Sequence, residues 1–385
     1  MVKNVKLKKM LKNSIFKVGT MVNKYIPKDE KKIMLYSANK GIEFNLKPLL
    51  SYMLEHKMHQ RYDITCVVEH KRYMDDIEGV RYVTRVKGML DFLTTKYVFY
   101  TTGQIPIKPS QDQKVIHLRH GNVYYKAIGK MSNINNGDEL FFTHMVASSP
   151  FFVPIMAKEY GCNETQIMIA GEPMLDDICG YLNKGERDTH KNYKLLVWAP
   201  TFRQSDYLGY DDSSEECVPL FTETEYAELN SYLGTKNIKL IVKLHPSQTV
   251  KQTGEAHFSH LDVYTHAEFI ENSLNFSQLL RKSDGLIGDY SSVSCQYLLL
   301  DKPQAFVIPD IEEYQKKRGF AFENPEAYMP GHIIKSKKEF YQFIDSFSMG
   351  QDEYKEERAR VRDLFYTYQD NKNCERILKQ VGLEC

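Results

Sequence analysis

Eight side chains of this 385-residue chain are of the types, and in the places, that phosphate chemistry uses. They are Thr201 and Arg203 in "APTFR", Lys243 and His245 in "VKLHP", Asp289, Ser291 and Ser292 in "GDYSS", and His120 in "LRHG". A guanidinium can hold a phosphate through two parallel N–H bonds, and a threonine hydroxyl adds another. An imidazole at a strand end can donate to a phosphate oxygen, and Lys243, two residues before His245, points to the same side of its strand. Asp289 offers an acceptor toward a ribose or a base. Ser291 and Ser292 stand where a strand turns into a helix, whose first N–H groups have no partner in the helix and take up anions. His120 precedes Gly121, which permits close approach of a substrate, and it is placed to act as a general base. Plainer readings stay open: a hydrogen-bonded strand-end histidine, a surface-loop arginine, an N-cap serine. The acidic pairs Asp75-Asp76, Asp176-Asp177 and Asp211-Asp212 have no His or Cys at ligand spacing. No metal site is therefore expected, and use of a divalent ion is left open.

Such residues work together only if several strands end side by side. From Ile33 onward short apolar runs alternate with helical patterns: "IMLYSANKG", "YDITCVVE", "VRYV", "YVFYTTG" and "KVIHLRHG" read as strands, "NLKPLLSYMLEHK" and "VKGMLDFL" as helices. After "FFTHMVASSP", "FFVPIMAKEYG" and "QIMIAGEP" the period restarts with "YKLLVWAP", "KLIVKLHP", "LIGDYSS" and "PQAFVIPD" as strands. Alternation of this kind predicts parallel sheets covered by helices on both faces. Cores tend to split beyond about 250–300 residues, so the expectation is an α/β protein of two Rossmann-like domains facing a cleft, over 29–165 and 166–385. The last 50 or so residues read as helices. Ligands of such sheets bind beyond the carboxyl ends of the strands. That rule points to Gly121, Gly171, Pro200 to Arg203, His245, and Asp289 to Ser292.

Residues 1–28 differ from the rest. They hold eight lysines and no acid, in a chain whose net charge is only +1. Leu7, Leu11, Ile15, Val18, Val22 and Tyr25 recur at helical spacing until Pro27 ends the pattern, which predicts a basic amphipathic helix. An anionic membrane surface, rather than nucleic acid, is the partner such an arm suits; an arm packed on the protein is the plain alternative. No apolar run is long enough for a signal peptide or a membrane span. Seven cysteines without C-x-x-C spacing suit reduced thiols in the cytoplasm.

The series "WAPTFR", "VKLHP", "LIGDYSSV", "DKPQAFVIPDIEEYQKKRGF" and "PGHII" resembles the CDP-glycerol glycerophosphotransferase family, the teichoic acid polymerases and primases. The likeness is specific over 195–335 and looser over 114–175, where "RHG" and "GEP" are similar to two further motifs. It implies a GT-B type fold and transfer of a polyol phosphate, glycerol phosphate first, from a CDP-linked donor to an acceptor hydroxyl. The acceptor would be lipid-linked or polymeric, as in teichoic acid or capsule synthesis, at the inner face of the membrane, with CMP released and no cofactor. By position, His120 and His245 resemble the family's two essential histidines, and Thr201, Arg203, Asp289, Ser291 and Ser292 its donor pocket. Gly288 stands where the family commonly has threonine. A GT-B glycosyltransferase using a nucleotide sugar and a non-catalytic nucleotide-binding membrane scaffold are the alternatives.

Overall fold

The computed structural model describes residues 16–37, 41–119, 125–133, 139–183, 192–205, 210–211, 216–248 and 258–384. The chain forms two compact units, one of residues 1–122, 138–177 and 370–385, the other of residues 123–137 and 178–369. Both are built on parallel sheets, as the alternation of strand and helix patterns predicts.

The first unit holds β1 (Asp29–Tyr36), β2 (Asp63–Val68), β3 (Val80–Thr84), β4 (Thr95–Tyr100), β5 (Lys114–His117), β6 (His144–Ala147) and β7 (Ile167–Ile169) in the order β3-β2-β1-β4-β5-β6-β7. Its strands are apolar on both faces because helices cover both. Ile33, Leu35, Ile64 and Phe99 pack against Leu46, Leu49 and Met53 of the helix Leu46–Glu55 and against Ile377 and Leu378 of the helix Asn373–Gln380.

The second unit holds β8 (Lys194–Trp198), β11 (Ile238–Lys243), β12 (Leu261–Tyr264), β13 (Gly285–Gly288), β14 (Gln304–Val307) and β15 (His332–Ile334), with a short hairpin of β9 (Gln204–Ser205) and β10 (Tyr210–Asp211) beside them. The strand order is β12-β11-β8-β13-β14-β15. Leu196, Trp198, Leu240, Val242 and Ile287 form its core with Leu229, Leu233, Phe340, Phe343 and Phe347. The chain runs outward from β8 through β11 to β12 and then returns to start β13 on the other side of β8. The switch point, where open α/β sheets bind ligands, is therefore the pair of loops after β8 and β13.

The expected boundary at 165/166 is corrected in three ways. Strand β7 pairs with β6 (Met145↔Ile167), which keeps it in the first sheet. Residues 123–137 leave the first half of the chain and join the second unit. Residues 370–385 return to the first unit, docked on the "GEP" loop: Asp176 accepts from the backbone N–H of Asn373 (2.8 Å) and Cys374 (2.9 Å), and Asn373 Nδ2 donates to Glu172 O (3.0 Å). Gly171 has φ +80°, and a Cβ there would lie 2.1 Å from Asn373 Oδ1, so only glycine lets this helix seat.

Of the basic arm, residues 1–15 lie outside the described residues; residues 16–23 are helical. Asn23 is buried and donates to Gln113 Oε1 (2.6 Å) and Lys108 O (3.0 Å), while Val18, Met21, Val22 and Tyr25 face solvent.

Candidate functional site

Three adjacent strands deliver the second unit's predicted residues. β8 is paired with β11 on one side (Trp198↔Val242) and with β13 on the other (Trp198↔Ile287). Thr201 and Arg203 follow β8, His245 follows β11, and Asp289, Ser291 and Ser292 follow β13. Each strand stops near a residue that cannot extend the ladder: Pro200, Pro246 or a buried aspartate.

Asp289 ties the loops together. Its carboxylate accepts from Thr201 N (2.6 Å), Thr201 Oγ1 (2.7 Å), Arg203 Nη1 (2.7 Å) and Ser291 N (2.9 Å). Asp310, the last residue of "VIPD", supplies a second carboxylate, 2.7 Å from Arg203 Nε. Arg203 is 0% exposed. Burial opposes its charge, but Asp289 and Asp310 outweigh that and hold the guanidinium above its ordinary value.

These contacts correct two expectations. Arg203 is not exposed at a surface loop: it is buried, with Nη1 donating to Asp289 Oδ2 (2.7 Å) and Thr201 O (2.8 Å) and with Nε 2.7 Å from Asp310 Oδ2. Asp289 is not turned toward a ribose or a base, being 1% exposed and engaged with Arg203 and Thr201.

Around this ion cluster the aromatic residues Tyr290, Tyr314 and Phe320 form one stack. Tyr290 lies 4.4 Å from Tyr314 and 5.0 Å from Phe320 between ring centroids, its hydroxyl donates to Asp310 Oδ1 (3.1 Å), and Arg203 sits 5.5 Å over its ring. "GDYSS", "VIPD", "EEY" and "RGF" thus meet as a single scaffold. Gly288 lies against the same scaffold: a Cβ there would lie 2.0 Å from Ser294 Oγ, so any side chain at 288 would have to turn Ser294 aside.

His245 is partly buried with its ring 4.9 Å from that of Phe202. Its Nδ1 accepts from Ser247 N (3.0 Å). Burial, then the Lys126 and Lys243 ammonium groups, lower its pKa from 6.5 to about 3, against a smaller opposing pull from Asp289. A neutral ring that accepts at Nδ1 carries its proton on Nε2. His245 is therefore a hydrogen-bond donor at neutral pH, suited to a phosphate oxygen. Gln248 locks its turn to the β8 loop by accepting from Arg203 N (2.8 Å).

Lys243 holds its ammonium over the rings of Phe269 (5.5 Å) and Phe276 (5.2 Å), and burial lowers its pKa. From this aromatic seat its charge lowers the pKa of His245 through space. Ser291 caps the helix Ser292–Tyr297, accepting from Val293 N (3.4 Å), and both serines are partly exposed. His120 lies outside the described residues. Strand β5 ends at His117, three residues earlier than the sequence suggests, because Arg119 adopts φ +62°. Among the described residues no group of three His, Cys, Asp or Glu side chains is placed to hold a metal ion.

Two residues that sequence reasoning missed complete the site. Asp310 was visible only as the end of a strand pattern. Lys126, in a segment without periodicity, donates to Thr201 Oγ1 at 3.1 Å.

Residues 19–383 match the family described as CDP-glycerol:poly(glycerophosphate) glycerophosphotransferase, and the chain belongs to that family. It is 29% identical over 251 residues to the teichoic acid ribitol-phosphate primase of Bacillus spizizenii, covering 61% of this chain and 58% of that protein. It is 25% identical over 390 residues to the teichoic acid ribitol-phosphate polymerase TarK of Staphylococcus aureus, covering 95% of this chain and 71% of TarK. The solved structure of the wall teichoic acid polymerase TagF is similar in fold, with a TM-score of 0.72 at 18% identity over 99% of this chain and 95% of that one. A histidine-to-asparagine variant of TagF soaked with CDPG gives 0.70 at 18% identity, over 99% of this chain and 94% of that one.

Two outcomes check the site's physics. Arg203→Ala leaves two buried carboxylates without their cation and should cost about 3–5 kcal/mol in denaturant-induced unfolding, where a surface arginine would cost almost nothing. Below pH 6.5 the unfolded chain protonates His245 while the native state resists until about pH 3, so stability should fall with pH across that window. His245→Gln should flatten that slope relative to the parent protein in urea melts at pH 4, 5, 6 and 7; an unchanged slope would contradict the neutral imidazole.

Proposed function

We propose that this chain transfers a polyol phosphate from a CDP-linked donor, glycerol phosphate first, to an acceptor hydroxyl on a teichoic-acid-like polymer or its lipid-linked primer. The observation that carries the reading is the switch point of the second unit, where a neutral His245 carries its proton on Nε2 and two lysines act on it. That combination suits a diphosphate: an N–H donor on a neutral ring, and positive charge within reach.

In the reaction, the acceptor oxygen attacks the β-phosphorus of the donor as His120 takes its proton. A new P–O bond forms, the bond from the β-phosphorus to the bridging oxygen breaks, and CMP leaves with that electron pair. His245 donates to the diphosphate as charge moves toward CMP. The Arg203–Asp289–Asp310 cluster holds Thr201 and the "GDYSS" loop in register without touching substrate. Little covalent work falls to the protein, so positioning and charge carry the rate.

The test is nucleotide release from CDP-glycerol, CDP-ribitol and UDP-sugars offered in parallel. CMP should appear from a CDP-polyol, and His120→Ala should lower turnover by about 10²-fold or more while donor affinity stays near normal. Release of UDP alone would replace the reading with glycosyl transfer, and no release from any donor would favour a binding scaffold.

The site of action we propose is the cytoplasmic face of an anionic membrane. The arm's helix supports it by keeping Val18, Met21, Val22 and Tyr25 exposed, Tyr25 at 83%. On the helix Arg85–Phe92, Val86 and Leu90 are exposed as well. One buried amide holds both helices, since Gln113 accepts from Asn23 and donates to Phe92 O (2.8 Å). Among the described residues no helix is long and apolar enough to cross a membrane. The full chain should co-sediment with anionic vesicles, less so at high salt and on neutral lipid, and the double variant Val18→Asp, Val22→Asp should lose most of that binding. Equal sedimentation of the two proteins would remove the arm from the account.

A further inference from the structure

The Arg203 cluster poses an electrostatic difficulty for any anionic ligand. One guanidinium shared between Asp289 and Asp310 leaves a net negative charge behind Thr201, at the point where a diphosphate would have to approach. Arg203 cannot relieve this, because its own charge is already spent on the carboxylates.

A segment from elsewhere in the chain brings the missing cation. Tyr125 is fully buried, its hydroxyl donating to Tyr328 O (2.7 Å) and its ring edge-on to Phe306 and Phe322. Ala321 N donates to Tyr125 O (2.7 Å) and Ala127 N to Gly319 O (3.1 Å), so that Lys126 pairs with Phe320 in a short antiparallel bridge. Asn133 anchors the far end, its side chain donating to Gln315 O and Lys316 O at the end of the helix Ile311–Lys317. A buried tyrosine on one side and a capped helix on the other fix where the Lys126 side chain leaves the backbone. It ends with Nζ 3.1 Å from Thr201 Oγ1. The hydroxyl proton is already given to Asp289 (2.7 Å), so Thr201 can only accept from Lys126, and the ammonium is held at the mouth of the cluster.

We propose that Lys126 is the cation that takes the donor's diphosphate, filling the role that the sequence pattern assigns to Arg203. This deepens the donor reading above and rests on it. Lys126 reverses the sign of the site: with Lys243 it outweighs the cluster's excess negative charge around a neutral His245. That Lys126 follows burial as the strongest influence lowering the charge of His245 fits the same closeness. An ammonium is a compact point charge on a flexible stem, able to follow a phosphate as it changes from diphosphate to CMP. Lys126 also stands only six residues after His120 in the sequence, so one stretch of chain supplies both the proposed base and the phosphate cation.

The test follows the His245 ring resonances in the full chain by NMR while inorganic pyrophosphate, CDP-glycerol or cytidine is added. Lys126→Met and Lys126→Arg are compared with the parent protein, and Lys126→Gln stands in should the Met variant melt early. Removing the charge should weaken pyrophosphate and CDP-glycerol by at least about tenfold and leave cytidine within about twofold, and Lys126→Arg should recover much of the loss. Pyrophosphate affinity within twofold of the parent in Lys126→Met, or no pyrophosphate binding by the parent protein, overturns the proposal. So does an equal loss for cytidine, which would make Lys126 a structural cation only. Pyrophosphate binding that depends on Lys126, in a parent protein that ignores CDP-glycerol, would uphold the lysine's role and sink the choice of donor instead.

Discussion

The second unit is organised around one guanidinium. Arg203 stands between Asp289 and Asp310, and the three charges are removed from water together. Taking ions out of water is costly, and the cost is offset only when geometry and hydrogen bonding are nearly complete. Here that requirement fixes three loops at once. The loop after β8 is held through Thr201, the loop after β13 through Asp289 and Ser291, and the end of β14 through Asp310. An arrangement tolerant of small shifts would leave a buried carboxylate unmatched, so the cluster specifies position as much as it stabilises.

Aromatic packing and the strap of residues 125–133 follow from that centre. Tyr290 donates to Asp310 and stacks on Tyr314, which brings Phe320 and its loop against the same point. The strap then pairs with that loop. Each layer depends on the one beneath: ion cluster, aromatic stack, strap, and last the lysine at the surface of the site.

Much of this was legible in the sequence, and the rest was hidden for identifiable reasons. Parallel strands such as β8 and β13 announce themselves as short apolar runs because both of their faces are covered. Polar residues at their ends then mark the ligand-binding edge, and Thr201, His245, Asp289 and Ser291 do gather there. Arg203 was misread because a strand-end arginine looks exposed; its burial depends on Asp310, over a hundred residues later. Lys126 carries no periodic signal, and its position is set by backbone pairing with Phe320. The division of the chain was misplaced for a similar cause, since helix Asn373–Gln380 has an ordinary amphipathic pattern that does not say which core it completes. Gly171 held the clue, but only the neighbouring Asn373 gives it meaning.

That last helix bears on how the protein is made. Ile377 and Leu378 belong to the same core as Ile33 and Leu49, so the first unit cannot close until residues 377 and 378 have left the ribosome. The second unit, whose chain is complete by Gln369, can fold earlier. Synthesis at about 5–20 residues per second leaves the apolar flank of the helix Leu46–Glu55 uncovered for tens of seconds. Pairings that distant in sequence are slow to form and expose sticky surface meanwhile. Order of emergence and order of completion therefore run in opposite directions for the two units of this chain.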